Sequence, residues 1–227
     1  MSDSVIVPVA ATRLIPVWDI WLRLFHWLLV LDIICLYITG KLGGNWLEWH
    51  QRAGYLALGL IGFRLIWGMV GSHHARFIHF VKGPITVWRY LRGRLASESA
   101  QLGHNPLGAW SVVAMLLVVA VQAVTGLFSN DDVLLEGPYA AKVSKELSDW
   151  LTGIHKINSN ILLALIALHV LAIVLYAVVK KNNLVGPMLT GRKLGTGAAP
   201  DISRPRWLAP LVILGVGVIT WLLVGRH

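Results

Sequence analysis

Four histidines carry the chemistry that this sequence offers. His155 and His169 stand toward the two ends of "LTGIHKINSNILLALIALHV", fourteen residues apart. On a helix of about 100° and about 1.5 Å per residue they fall within about 40° of one face and about 21 Å apart. His26, in "RLFHWLLV", and His50, in "WLEWHQRAGY", lie in two earlier apolar segments. A neutral imidazole is a good ligand for iron, and opposed imidazoles from different helices can hold a planar metal macrocycle inside a bundle. Arg64, in "GLIGFRLIWG", follows His50 by the same fourteen residues and shares its face. A buried arginine is costly in hydrocarbon unless an anion meets it, and a macrocycle carboxylate would do so.

The elements that must position these residues are membrane spans. Of 227 residues 56% are hydrophobic and only 14% charged, and the mean hydropathy is +0.66. Crossing a hydrocarbon core of about 30 Å takes about 20 apolar residues. Five segments qualify, near 18–40, 47–70, 107–128, 151–179 and 207–224. The N-terminal stretch lacks a short apolar core with a small-residue cleavage site, so the first helix is expected to be retained. Cys35 is the single cysteine. That excludes a disulfide, an iron–sulfur cluster held by this chain alone and a C-x-x-C-H attachment, so any haem is held noncovalently.

A net charge of +9 raises the possibility of nucleic acid as a partner, but the positions of the charges speak against it. Residues 71–106 carry Arg76, Lys82, Arg89, Arg92 and Arg94 against Glu98, and residues 180–206 carry Lys180, Lys181, Arg192, Lys193, Arg204 and Arg206 against Asp201. Residues 129–150 hold Asp131, Asp132, Glu136, Glu146 and Asp149 against Lys142 and Lys145. By the positive-inside rule the N-terminus is cytoplasmic and, with five spans, His227 is outside. Trp18, Trp46, Trp49, Trp150 and Trp207 fall at span ends, as an aromatic belt would.

On this topology depth pairs His50 with His155 near the outer face and His26 with His169 in the inner half. The pattern suits two iron porphyrins, each bound by histidines of two helices. Gly54 and Gly68 follow His50 and Arg64 by four residues and would let a porphyrin lie against the second helix. Arg52 and Lys156 are placed to pair with propionates of the outer haem or to snorkel to the surface. Asp32, an acid inside the first span, lies off the haem face and serves an interhelical hydrogen bond or a proton relay. Gln122 and Thr125 read as interhelical hydrogen-bonders rather than quinone ligands. His73, His74 and His79 read as solvated loop residues in preference to a zinc site, and His104 has no matched partner. The stretch "KGPITVWRYLRGRL" reads as a basic loop at anionic headgroups in preference to a short amphipathic surface helix. Residues 182–206 read as a linker.

"WDIWLRLFHWLLV", "WLEWHQRAGYLALGLIGFRLIWG", "GHNPLGAWSV", "QAVTGLFSNDD", "LTGIHKINSNILLALIALHV" and "NNLVGPMLTGRK" together resemble the bacterial cytochrome b561 family, which includes the b-type cytochrome subunits of nickel–iron hydrogenases. The resemblance covers about residues 14–194. It implies a four-helix core with two haem b groups, ligated by His26 with His169 and His50 with His155, that exchanges electrons with the quinone pool.

The expected fold is thus an all-α membrane protein, with a four-helix haem-binding bundle over 14–194. A linker and an extra fifth helix follow over 195–227. The expected function is electron transfer in the bacterial inner membrane between quinone and a periplasmic redox partner, a cytochrome c or a hydrogenase-like protein. An oligomer is compatible with it. The acidic loop "SNDDVLLEG" would dock a basic partner or simply be solvated. Within the family resemblance the alternative is a free-standing superoxide:quinone oxidoreductase. A metal-ion carrier using the same histidines needs neither the glycines nor Arg64.

Overall fold

The structure, a computed structural model, describes residues 13–94, 103–133, 136–195 and 207–225. Of the linker expected over 182–206, residues 182–195 hold instead a short helix, Val185–Thr190, and a strand, Arg192–Gly195, while 196–206 lie outside the described residues, as does His227. In chain order the described residues form β1 (Arg13–Pro16), α1 (Ile20–Leu42), α2 (Trp46–Val70), α3 (Phe77–Phe80), α4 (Pro84–Leu91), α5 (Pro106–Gly126), α6 (Lys145–Val178), α7 (Val185–Thr190), β2 (Arg192–Gly195) and α8 (Leu208–Val224). Single 3-10 turns occupy His73–Ala75 and Ala140–Lys142.

A helix satisfies its own backbone, so it is the form in which an apolar segment can enter lipid. Among the described residues four helices are long and apolar enough to cross a membrane: α1, α2, α5 and α6. They run as two antiparallel hairpins, α1 against α2 and α5 against α6, joined where α2 packs on α5. The α1–α2 turn is short because Gly43 and Gly44 take φ of 65° and 53°, a left-handed conformation that a side chain would strain. His26 and Arg64 are at one end of the bundle with His169, and His50 and His155 are at the other.

Asp19 fastens the His26 end. Its Oδ1 accepts from Leu22 N–H at 2.9 Å and caps α1, and the same carboxylate accepts from Trp67 Nε1 at 3.2 Å and Ser72 Oγ at 2.5 Å. The start of α1 is thereby tied to the end of α2. Trp67 and Arg64 are among the largest fully buried side chains, with Phe25, Phe63 and Leu116 in the surrounding core.

The structure corrects several expectations. The fold is not wholly helical: β1 and β2 form an antiparallel ribbon, Arg13 opposite Gly195 and Pro16 opposite Arg192. Strands of four residues whose partner lies far along the chain leave no periodic signal. The ribbon and α7 are held to α1 where the Arg23 guanidinium donates to the Leu189 and Met188 carbonyls and Trp27 Nε1 to Met188 O. Helix α6 starts at 145 rather than 151, because Ser144 accepts from Leu147 N–H and adds more than a turn. At 34 residues, about 51 Å, it outruns the hydrocarbon thickness and projects beyond it.

Residues 84–91 are the short helix α4, not a loop. Pro84 at its first turn presets the backbone, and Tyr90 Oη meets Tyr176 Oη at 3.0 Å, anchoring α4 to α6. Ile85, Trp88 and Leu91 are exposed, and Arg92 stacks on Trp88 at 4.3 Å, an arrangement suited to a membrane surface. Helix α8 has 17 residues, about 26 Å, and packs on α2 where Gly62 leaves room for Val216.

Candidate haem sites

His50 enters the site from the first turns of α2 and His155 from α6, and each ring lies over a glycine of the neighbouring helix. A Cβ on Gly40 would stand 3.0 Å from His50 Cε1 and Nδ1, and one on Gly126 would stand 3.1 Å from His155 Cε1. Absence of those side chains lets the imidazoles reach the backbone. His50 Nδ1 lies 2.8 Å from Leu36 O, and His155 Nδ1 lies 3.0 Å from Gln122 O. A carbonyl only accepts, so both Nδ1 atoms carry the proton. Both Nε2 atoms therefore keep the lone pair that a metal needs.

The two surroundings repeat one another. Leu36 and Gln122 each lie four residues before the glycine, and Thr39 and Thr125 one residue before it. Thr125 Oγ1 donates to Val121 O at 2.7 Å and stands 3.2 Å from His155 Nδ1. Thr39 Oγ1 donates to Cys35 O at 2.7 Å and stands 3.5 Å from His50 Nδ1. Hydroxyls whose protons point at the helix offer their lone pairs to the imidazole.

The rings of His50 and His155 are 6.2 Å apart between centroids, with planes at 80°. A metal–imidazole bond of about 2.0–2.1 Å on each side would put two ring centres about 6 Å apart. The pair has the spacing of two imidazoles that would hold one iron between them. Gln122 Nε2 donates to His155 Nε2 at 3.0 Å, while Gln122 Oε1 accepts from Asn158 Nδ2 at 2.7 Å. An iron at His155 would displace that amide. Gln122 and Thr125 are interhelical hydrogen-bonders as expected, and their partner is a proposed ligand.

At the other end His26 and His169 are near enough to interact electrostatically. His26 Nδ1 is buried with no hydrogen-bond partner, a vacancy that buried polar atoms rarely show. Arg64 is 2% exposed, donates from Nη1 to Ala75 O at 3.1 Å and stacks on Phe77 at 4.5 Å. No carboxylate is within ion-pair distance of it among the described residues. The charge and remaining donors of a buried guanidinium fit a carboxylate-bearing macrocycle.

The glycines of α2 differ. A Cβ on Gly54 would meet nothing within 4 Å, so that face is open, whereas one on Gly68 would collide with the Phe77 ring. At Gly68 an aromatic ring lies where the sequence places a porphyrin, because the chain folds back after α2. Arg52 is exposed, bound to Glu48 at 2.5 Å and stacked on Trp49 at 5.1 Å. Lys156 is exposed beside a cleft lined by Asn130, Asp132, Asp149 and Thr152. Asp32 is buried and its Oδ2 has no partner.

His73, His74 and His79 are not the solvated residues expected. His73 stacks on His79 at 4.2 Å, and His74 is edge-on to Trp18 at 5.9 Å. His104 packs between Trp18 and Phe80, each at 4.7 Å. Trp18 therefore turns inward, unlike the exposed Trp46, Trp49, Trp150 and Trp207. Burial, and next the charges of His73 and His79, push His74 down to about 4. No group of three or more potential ligands could hold a metal ion among the described residues.

Comparison with known proteins bears on the family of the chain. The prokaryotic cytochrome b561 family model matches residues 17–191. A probable Ni/Fe-hydrogenase B-type cytochrome subunit of Azotobacter chroococcum mcd 1 is 28% identical over 224 residues, covering 82% of this chain and 90% of the relative. The relative of the same name from Azotobacter vinelandii gives the same identity and coverage. That from Cupriavidus necator is 22% identical, over 77% of this chain and 85% of its own. No solved structure matches the chain. With a family model spanning residues 17–191, the chain belongs to the prokaryotic cytochrome b561 family, membrane b-type cytochromes that carry electrons on haem b.

Proposed function

We propose that this chain is a di-haem electron-transfer subunit of the bacterial inner membrane, linking the quinone pool to a periplasmic redox partner. His50 with His155 would hold one haem b and His26 with His169 the other. Bound haem b supplies a one-electron iron couple. The protein's part is ligation, spacing and electrostatics. Ligands fourteen residues apart on α6 set the two levels about 21 Å apart along the helix. Arg64 would meet a propionate at the inner level and Arg52 and Lys156 at the outer, with Gly54 giving the macrocycle space against α2. Helix α8 would be a fifth span, placing the C-terminus in the periplasm.

The observation that carries this reading is the crossed pair His50 and His155, each fixed with Nε2 free of a proton. The partner follows from the relatives, which are named as hydrogenase cytochrome subunits, so a hydrogenase-like protein is favoured over a cytochrome c. The test is pyridine haemochrome quantitation with oxidised and dithionite-reduced spectra. Two b haems per chain are expected, and one in His169→Ala. A well-folded wild type with one haem or none would overturn the four-ligand assignment.

A further inference from the structure

The two haem levels are built differently, and the difference bears on which way electrons fall. At the His50 level both imidazoles sit on a Thr-Gly step, "YITG" ending at Gly40 and "AVTG" ending at Gly126. Each glycine admits the ring, the carbonyl four residues earlier accepts Nδ1–H, and the threonine hydroxyl adds a second acceptor. At the His26 level this is missing: His26 Nδ1 has no partner, and no hydrogen bond reaches His169 among the described residues.

Hydrogen bonds from Nδ1–H make an imidazole a stronger donor to its metal. A more basic axial ligand stabilises ferric over ferrous iron, which lowers the reduction potential. The fixed charges act in the same direction. Arg64 is buried at the His26 end, with the Asp19 carboxylate acting on it from beyond ion-pair distance, and this cation favours the reduced, less positive iron while Asp19 offsets part of the effect. At the His50 end Arg52 is exposed and paired with Glu48, and Lys156 is exposed, so water screens both.

We propose that the two Thr-Gly steps, Thr39-Gly40 and Thr125-Gly126, tune the haem between His50 and His155 to the lower reduction potential of the two, so that an electron arriving there passes downhill to the haem between His26 and His169. One iron is oxidised as the other is reduced, with no proton required between them. Thr39 and Thr125 are positioning residues, acting on the iron only through His50 and His155. The inference rests on the di-haem reading above.

The test is a potentiometric titration of the intact protein in detergent, with haem counted in every sample. Wild type is expected to titrate as two components of unequal midpoint. The lower should survive alone in His169→Ala and the higher alone in His155→Ala. Thr125→Val should move the lower midpoint upward while both haems stay bound, and Thr125→Ser should restore it. This Val and Ser pair keeps the question open to refutation if the alanine variants fail to fold. Two bound haems with Thr125→Val leaving both midpoints in place, or loss of the lower component in His169→Ala, would overturn the proposal. Fewer than two haems in wild type would instead overturn the di-haem reading beneath it.

Discussion

The imidazoles of His50 and His155 face each other across the bundle at 6.2 Å, each with Nδ1 tied to a main-chain carbonyl of the helix beside it. Two long side chains from separate hairpins are thus held by backbone rather than by other side chains. Backbone carbonyls inside a helix do not rotate away, so the ligand orientation is set before any metal arrives. Preorganisation of this kind is what separates a ligand from a histidine that is merely buried.

The glycines beneath these rings give the first expectation. A methyl at Gly126 would come within 3.1 Å of His155 Cε1 and one at Gly40 within 3.0 Å of His50, tighter than ordinary contact. The ring must back away and lose its carbonyl. Gly40→Ala and Gly126→Ala should each lower the haem-to-protein ratio, with a broadened reduced spectrum for what remains. The same substitution at Gly54, which meets nothing within 4 Å in this structure, would project into the space assigned to the porphyrin and should also lower the ratio. Full occupancy in all three variants would argue against both assignments.

Gln122 gives the second. Its amide holds His155 Nε2 at 3.0 Å, while the hydrogen bond to His155 Nδ1 comes from its main-chain carbonyl. Gln122→Leu removes the competitor for Nε2 and keeps the carbonyl. Asn158 Nδ2 keeps one N–H on Val118 O at 2.9 Å and loses the acceptor of the other, Gln122 Oε1, a cost to folding rather than to the ligand. The variant should bind haem at least as completely as wild type and incorporate it faster from added haemin. Loss of the haem would show that Gln122 supports the ligand instead of standing in for the metal.

The four histidines were legible because ionisable residues are rare in apolar spans, and a spacing of fourteen on one helix sets both depth and face. The Thr-Gly steps are not legible as a repeated feature, although Thr125 reads as an interhelical hydrogen-bonder and Gly40 ends the first expected span. Their contacts run to main-chain carbonyls, which carry no residue-specific mark. The histidines after α2 were misread for a different reason. Whether His74 is wet depends on Trp18, which reaches it only once the chain has folded back. Helix α6 began early because a serine cap is decided locally, whereas the expected span was drawn from hydropathy alone.

Asp19 is expected to matter for stability more than its place at the foot of a helix implies. Asp19→Ala removes the α1 cap, worth about 1 kcal/mol. It also strands the buried Trp67 N–H, at about 1–3 kcal/mol, while the Ser72 hydroxyl can rotate to another acceptor. A loss of about 2–4 kcal/mol in unfolding free energy is the expected sum. Asp19→Asn keeps an oxygen for Leu22 and should lose less. Unfolding in mixed detergent and SDS, followed by tryptophan fluorescence, measures both. Equal stability of wild type and Asp19→Ala would mean that α1 and α2 are held together without this carboxylate.

His74 ties stability to pH outside the membrane core. Burial, with His73 and His79 beside it, pushes its pKa to about 4, against about 6.5 when unfolded. Between those values the unfolded chain binds a proton that the folded chain refuses, so stability rises with pH across the window. The contribution of His74 is complete above about pH 6.5 and is lost as the pH falls toward 4. The melting temperature of wild type should therefore drop between pH 7.5 and pH 5. In His74→Asn, which has no proton to gain there, the drop should be smaller, and if asparagine packs as well against Trp18 the two curves should coincide near pH 7.5 and separate as the pH falls, with wild type the lower. Thermal melts of both proteins in one detergent across that range provide the comparison. Parallel curves would show that His74 is as readily protonated in the folded protein as in the unfolded one.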